Sequence, residues 1–477
     1  MSAIAPAAAV RQISDLPHPP TLPLLGNLHM VRSGSFHRVL EEWADRLGTP
    51  YLFRLGARSL VVWHDSELFQ QVMRERPHRW RRSNRIEPVF REMGANGLFS
   101  VEGAAWEPQR RLIVAALAAT HFRAFFPTIQ AITERLRRRW EDAARRGEAL
   151  EMVEELKRYT VDVTSALAFG EDPNTIEHGT ARIQDHLALV FPAIMRRVLA
   201  PMSYWHVLKL PQDRRLDAAL AEVHRYVAER IDHARQRMRD EPTDSPRNLL
   251  EAMIRLAEAP DSGFTEEELS ANVLTLLLGG EDTTAHMMSW TMPFLCADME
   301  LQDRLHQEAA ERFGDARVCP EFEQVRSLDR FEAIATEAAR FKPTIPVLMF
   351  EATEPVVLDG VALAPGNRAV LLQRLLMGKR IHFENPQTYD PERWLRPREE
   401  RTGPHDPRAF LQFGAGARVC PGRHLAGVEI RLVLSMLMRN FAARLECPPE
   451  AIEEILAFTM VPSTMPVRLT PRDPARQ

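Results

Sequence analysis

The sequence predicts a mostly α-helical protein with small, dispersed β-sheets, folded as one large domain. Three observations predict it. Apolar residues recur at the helical period from about residue 105 to 345. Strand-like composition is confined to short stretches, 51–65 and 354–372. No linker, low-complexity run or internal repeat divides the 477 residues.

Each element follows from its composition. Residues 1–16 are expected to be a flexible start, and the prolines of LPHPPTLPLLGN (16–27) enforce extended backbone. SFHRVLEEWADRLG (35–48) is an amphipathic helix stopped by Gly48, and YLFRLGARSLVVWHD (51–65) is a hairpin with a glycine in its turn. EPVVLDGVALAPGNRAVLL (354–372) returns to strands, with Asp-Gly and Pro-Gly marking turns. A proline-punctuated loop then leads to a last helix from about Gly422 to Asn440.

Composition narrows the function classes. Hydrophobic residues at 45% and charged residues at 26% are a balance that buries a large core. A net charge of −4 gives no basic field for nucleic acid, and the arginines of RLRRRWEDAARR (135–146) are interleaved with acids as on a solvated helix face. The first fifteen residues are too short and too weakly apolar for a membrane span and lack the basic start of a secretion signal. Cys296, Cys319, Cys420 and Cys447 form neither a disulfide framework nor a zinc spacing. A soluble chain in a reducing cytoplasm is the expectation.

The peptide ARVCP occurs twice, as RFGDARVCPEF (312–322) and QFGAGARVCPGRH (412–424). A cysteine thiolate can ligate iron only where backbone lets the metal approach and the sulfur is stabilised as an anion. Around Cys420, Gly416 lies four residues before and Gly422 two after, where a tight turn or close approach to a flat cofactor is needed. Around Cys319 those places hold Asp315 and Glu321, whose β-carbons and charges would block the turn and repel an anionic sulfur. The first copy is expected to be a surface loop after a helix. Pro421 and Gly422 open the last helix, directing amide donors and the positive dipole end toward the Cys420 sulfur.

FGAGARVCPG resembles the cysteine heme-loop signature of the cytochrome P-450 superfamily, with Phe413, Gly416, Arg418, Cys420 and Gly422 at every defined position. Three further segments match the family in the right order. TEAARFKP supplies Glu337 and Arg340, and YDPERW supplies Arg393; in the family such residues form a buried structural lock. LTLLLGGEDTTAHMMSW (274–290) is similar to the long central helix, where poor helix formers leave room for dioxygen. There the Thr283 hydroxyl would hydrogen-bond the iron-bound dioxygen and Asp282 would relay protons. EGAAWEPQRRL (102–112) is similar to the segment whose Trp106 and Arg110 lie on one helix face.

The resemblance, from about Pro17 to Leu469, implies one catalytic domain over 17–477 and the cytochrome P-450 fold. It implies heme b with Cys420 as iron ligand, held also by Phe413, Gly414 and Gly422. Trp106, Arg110 and Arg418 become partners of the heme propionates. Where many relatives place another propionate-binding arginine, this chain has Phe350, which leaves open how that propionate is satisfied. The implied activity is insertion of one atom of O2 into a small lipophilic substrate. Electrons would come from a separate ferredoxin or flavodoxin with its NAD(P)H-dependent reductase, docking near Arg111, Arg423 and His424. Substrate-facing candidates are Leu98, Phe99, Gly279, Ile345 and Val347, all apolar. A fatty acid is the first expectation, since Gly-Leu-Phe (97–99) resembles a run in a bacterial fatty-acid hydroxylase; a terpenoid, steroid or macrocyclic metabolite is the second. A peroxide-driven peroxygenase and a non-enzymatic heme-thiolate sensor are the alternatives. The Asp282–Thr283 pair argues against the peroxygenase.

Overall fold

The computed structural model describes residues 10–31, 34–117, 119–179, 182–200, 202–260 and 262–472. The expected flexible start divides at that boundary. Residues 1–9 lie outside the described residues, while Arg11 and Gln12 already pair in parallel with Val361 and Ala362, and Leu16 is buried.

Helix α1, Phe36–Leu47, packs beside a five-stranded sheet and ends at Gly48, as the sequence predicts. The sheet comprises β1, Tyr51–Leu55, β2, Arg58–Trp63, β3, Trp80–Arg82, β4, Val347–Ala352, and β5, Arg368–Leu372, in the order β1–β2–β5–β4–β3. The hairpin β1–β2 is the expected one, and only β2–β5 is parallel. Helix α2, Ser66–Glu75, is capped by the Asp65 carboxylate, which accepts from the amides of Glu67 and Leu68, and it leads into β3.

The helical body is built on α5, Glu266–Ala297, a 32-residue helix whose Thr265 and Glu268 cap its start reciprocally. It packs closely along α4, Met152–Phe169. Gly280 permits that approach: a Cβ there would lie 2.7 Å from Thr164 Oγ1, and Thr160 Oγ1 donates to the Glu281 carbonyl at 2.6 Å. Helices α3, Trp106–Ala116, α6, Met299–Phe313, α7, Asp329–Phe341, and α8, Arg423–Asn440, complete the core around α5. No described helix is long and apolar enough to cross a membrane.

Two features depart from the sequence expectations. Beyond α8, where none is expected, Phe441–Leu445 pairs with Pro466–Pro471, which pairs in turn with Ala149–Glu151, and Glu454–Leu456 pairs with Met460–Pro462. The first set is held by partners distant in the chain, while the second is a short local hairpin. The loop carrying Cys319 follows α6 with Gly314, Asp315, Pro320 and Glu321 exposed, as expected, but its cysteine points inward. Cys319 is fully buried, with its carbonyl accepting from Gln130 Nε2 at 2.9 Å while Phe322 packs edge-on against Phe126.

Between α7 and the long loop after β5, Glu337, Arg340 and Arg393 are all buried. The Glu337 carboxylate accepts from Arg340 Nη2 at 2.9 Å, Arg393 Nε at 3.0 Å, Trp394 Nε1 at 2.9 Å and the Asp390 amide at 3.1 Å. The spare guanidinium donors reach carbonyls of the same loop, including Pro386 at 2.6 Å and Glu384 at 2.8 Å. Removing the single carboxylate strands two buried cations, whereas removing Arg393 leaves a one-to-one pair. Glu337→Gln should therefore cost about 3–5 kcal/mol, and Arg393→Met less. Urea unfolding of both variants measures the order; the reverse order would refute this charge account.

Candidate active site

The Cys420 loop is built by backbone. Gly416 takes φ +66°, and a Cβ there would lie 2.7 Å from the Met73 carbonyl, so only glycine lets the loop lie against the end of α2. Gly414 is likewise at positive φ, and the Cys420 amide closes the turn on the Phe413 carbonyl at 2.8 Å. Gly422 departs from expectation: its φ is −83°, and a Cβ there would sit 3.9 Å from Cys420 Sγ in ordinary contact. Its contribution is as the residue that starts α8. Burial pushes the Cys420 thiol up, but the Gly422 amide, the Arg110 cation, and the amide and cation of Arg423 all favour its anion. Cys319 has the opposite surroundings: burial pushes its thiol up to about 11, the nearby Glu321 charge adds to the rise, and its Sγ donates to the Glu321 carbonyl.

Helix α3 brings two predicted residues to the same place. The Arg418 guanidinium lies 4.5 Å from the Trp106 ring centroid, and Arg110, one turn after Trp106, is close enough for the Cys420 charge to act on it. Arg418 also donates to the Val101 carbonyl at 3.0 Å and to Glu102 at 2.8 Å. Trp106, Arg110, Arg418 and Cys420 thus converge although α3 and the cysteine loop are distant in sequence.

On α5, a Cβ at Gly279 would meet nothing within 4 Å, in contrast to the tightly packed Gly280. Thr283 Oγ1 donates to the Gly279 carbonyl at 2.8 Å, and Asp282 is paired with Lys157 of α4 at 3.1 Å. Lys157 was not legible in sequence, because its partner comes from another helix. Two buried carboxyl groups flank this segment, Glu281 and Glu429, each pushed up to about 8 by burial.

The apolar candidates separate. Phe99 joins a group of rings, with Phe90 and Phe458 each 5.4 Å from it and Phe191 stacked on Phe458 at 4.4 Å. Phe458, from the turn between the strands Glu454–Leu456 and Met460–Pro462, escaped the sequence reading because nothing local marks it as facing α5. Leu98 is buried in the main core, and its amide donates to Asn272 Oδ1 at 2.9 Å. Ile345 and Val347, at the start of β4, are half-buried.

The chain matches the family model described as Cytochrome P450 over residues 16–467. It is 22% identical over 465 residues to Protein LUTEIN DEFICIENT 5, chloroplastic, of Arabidopsis thaliana, covering 96% of this chain and 75% of that protein. It is 23% identical to a self-sufficient cytochrome P450 monooxygenase of Phanerodontia chrysosporium, covering 96% of this chain and 43% of the longer relative. The solved heme domain of cytochrome P450DA superposes with a TM-score of 0.84 at 23% identity, covering 98% of this chain and 99% of that one. Matched from its first packed strands to its last, the chain belongs to the cytochrome P450 family of oxidoreductases.

Proposed function

We propose that this enzyme is a heme-thiolate monooxygenase in which Cys420 holds the iron of heme b and a lipophilic substrate is hydroxylated. The observation that carries the reading is the Cys420 sulfur itself, half-buried, facing two backbone amides and two arginines. The donor set fits the cofactor. A half-buried sulfur whose charged neighbours are cations is suited to a thiolate on a metal. Trp106, Arg110 and Arg418 offer donors and cations to the cofactor's carboxylates, and Gly279 leaves space on the α5 side.

Bound heme supplies the activation of dioxygen and the insertion of one oxygen atom. The chain's own residues do the rest. The Gly422 and Arg423 amides donate toward the sulfur, orienting it and favouring the thiolate that would bind iron. Thr283 Oγ1, now donating to Gly279, can rotate to donate into the space beside it, and Asp282 passes protons toward Thr283 as its pairing with Lys157 opens. The ring group of Phe90, Phe99, Phe191 and Phe458 gives the chamber an apolar wall, which suits a fatty acid first and a terpenoid, steroid or macrocycle second. The exposed Arg423 and His424, together with exposed Arg111 of α3, offer basic groups to an acidic ferredoxin or flavodoxin that receives electrons from an NAD(P)H-dependent reductase. Screening lipophilic compounds for shifts in heme spin state, then assaying the hits for O2- and reductase-dependent hydroxylation, tests the whole reading.

Two variants test its parts. Cys420→Ser should abolish the thiolate-type absorption band of the reduced carbon-monoxide complex, while Cys319→Ser leaves that band in place; loss with Cys319→Ser alone would overturn the ligand assignment. Thr283→Ala removes one hydroxyl and leaves the apolar wall intact, so substrate affinity should change little. Product formed per NAD(P)H consumed should fall severalfold, with hydrogen peroxide rising in compensation. Unchanged coupling would remove Thr283 from proton delivery.

A further inference from the structure

Phe350 stands where an arginine would serve a propionate, and the strand register shows what lies across from it. Strand β3 pairs antiparallel with β4, placing Arg82 directly opposite Phe350 and Arg81 opposite Glu351. Directly opposed residues share a sheet face and their side chains are neighbours. Arg81 is spent on the other face in an ion pair with Glu351. Arg82 is not. Its Nε donates to the Phe99 carbonyl at 2.9 Å and its guanidinium lies 3.9 Å from the Phe99 ring, but its two terminal nitrogens make no hydrogen bond among the described residues.

The neighbourhood carries a charge surplus. Arg76 lies over the Phe350 ring at 5.2 Å, and Arg76 and Arg418 both donate to Glu102 at 2.8 Å. The Arg82 amide donates to the same carboxylate at 3.0 Å. Two guanidinium groups therefore meet one carboxylate, and the Arg82 guanidinium adds a third cation close by, an excess of two positive charges. The side chains of Arg76 and Arg418 are 3% and 5% exposed, and the Nε of each is buried without a partner. The next carboxylate, Glu87, is paired with Arg91. Burial holds all three guanidinium groups below the ordinary arginine range, with Arg418 at about 10, and neighbouring cations push Arg82 and Arg418 further. Such a surplus calls for an anion.

We propose that Arg82 supplies from β3 the propionate contact that Phe350 cannot make, with Arg76 and Arg418, tied through Glu102, completing a cradle for the dianionic edge of the heme. This rests on the heme-thiolate reading above. The two surplus charges match the cofactor's two carboxylates. The terminal nitrogens of Arg82 present the paired donors that a carboxylate takes best. Glu102 offsets the third charge and fixes the Arg82 backbone to the cysteine loop through Arg418.

The experiment measures retention of the cofactor. Purified holoprotein is mixed with excess apomyoglobin and the rate of heme transfer is followed by absorbance for wild type, Arg82→Met and Arg82→Lys. Arg82→Met should release heme at least tenfold faster, and Arg82→Lys should restore most of the retention. A second arm reconstitutes each protein with iron protoporphyrin dimethyl ester, which lacks the propionate charges. Wild type should release the ester much faster than heme, and Arg82→Met should narrow that difference. Wild-type release rates for heme from Arg82→Met, or an undiminished preference for heme over the ester, would overturn the proposal. If Arg82→Met unfolds, Arg82→Gln takes its place with the same expected rates and the same refuting outcome. A wild type without a thiolate-type spectrum would instead refute the function proposed above, and this assignment with it.

Discussion

The Glu337 carboxylate is the interaction on which the rest of the cofactor side depends. It is fully buried and accepts from two arginines, an indole and a backbone amide. A lone buried carboxylate is very costly, so Glu337 is tolerated only with cationic partners beside it. Their arrival ties α7 to the irregular chain between β5 and the cysteine loop, a stretch with little secondary structure of its own. That chain gains from the triad a fixed path, through carbonyl contacts at Pro386 and Glu384 as well as the ion pairs. The turn at Gly416 can then press on the end of α2.

Charge is distributed unevenly around this frame. Glu337 sits with two arginines, and the donors left over are absorbed by loop carbonyls. At the other cluster, Arg76 and Arg418 share the single carboxylate of Glu102 with the Arg82 cation close by, and carbonyls take up only part of their capacity. Both clusters have more cations than anions, but the first is closed by the protein itself. Among the described residues, the second keeps the terminal nitrogens of Arg82 without a hydrogen bond and the buried Nε atoms of Arg76 and Arg418 without partners. That difference separates a structural lock from a site suited to an anionic ligand.

The two glycines of α5 show the same separation at smaller scale. In sequence they form one feature, a weak place in a helix. In the fold, Gly280 is spent on close packing against Thr164, while Gly279 meets nothing within 4 Å. The two copies of ARVCP divide along similar lines. The glycine at 416 is required by both its φ and its distance to Met73, as its spacing suggested, but Gly422 adopts an ordinary conformation. Cys319 is buried and Cys420 half-buried, and charge and amide donors distinguish them further.

The sequence by itself determined the fold class, the main helices, the β1–β2 hairpin and the family, because these rest on local periodicity and on residue types at short, fixed spacings. It also singled out Trp106, Arg110, Arg418 and Cys420, which the fold brings together. Only the tertiary structure decided what surrounds them. Lys157 on Asp282, Phe458 against Phe99, the burial of Cys319 and the pairing of Pro466–Pro471 with Ala149–Glu151 all depend on partners distant along the chain. The clearest case is the position of Phe350. The sequence showed an arginine missing there, but RWRRSNR (79–85) offers four arginines and no local rule chooses among them. The register of β3 against β4 chooses, because directly opposed residues face the same side of a sheet and a shift of one residue would have placed Arg81 there instead.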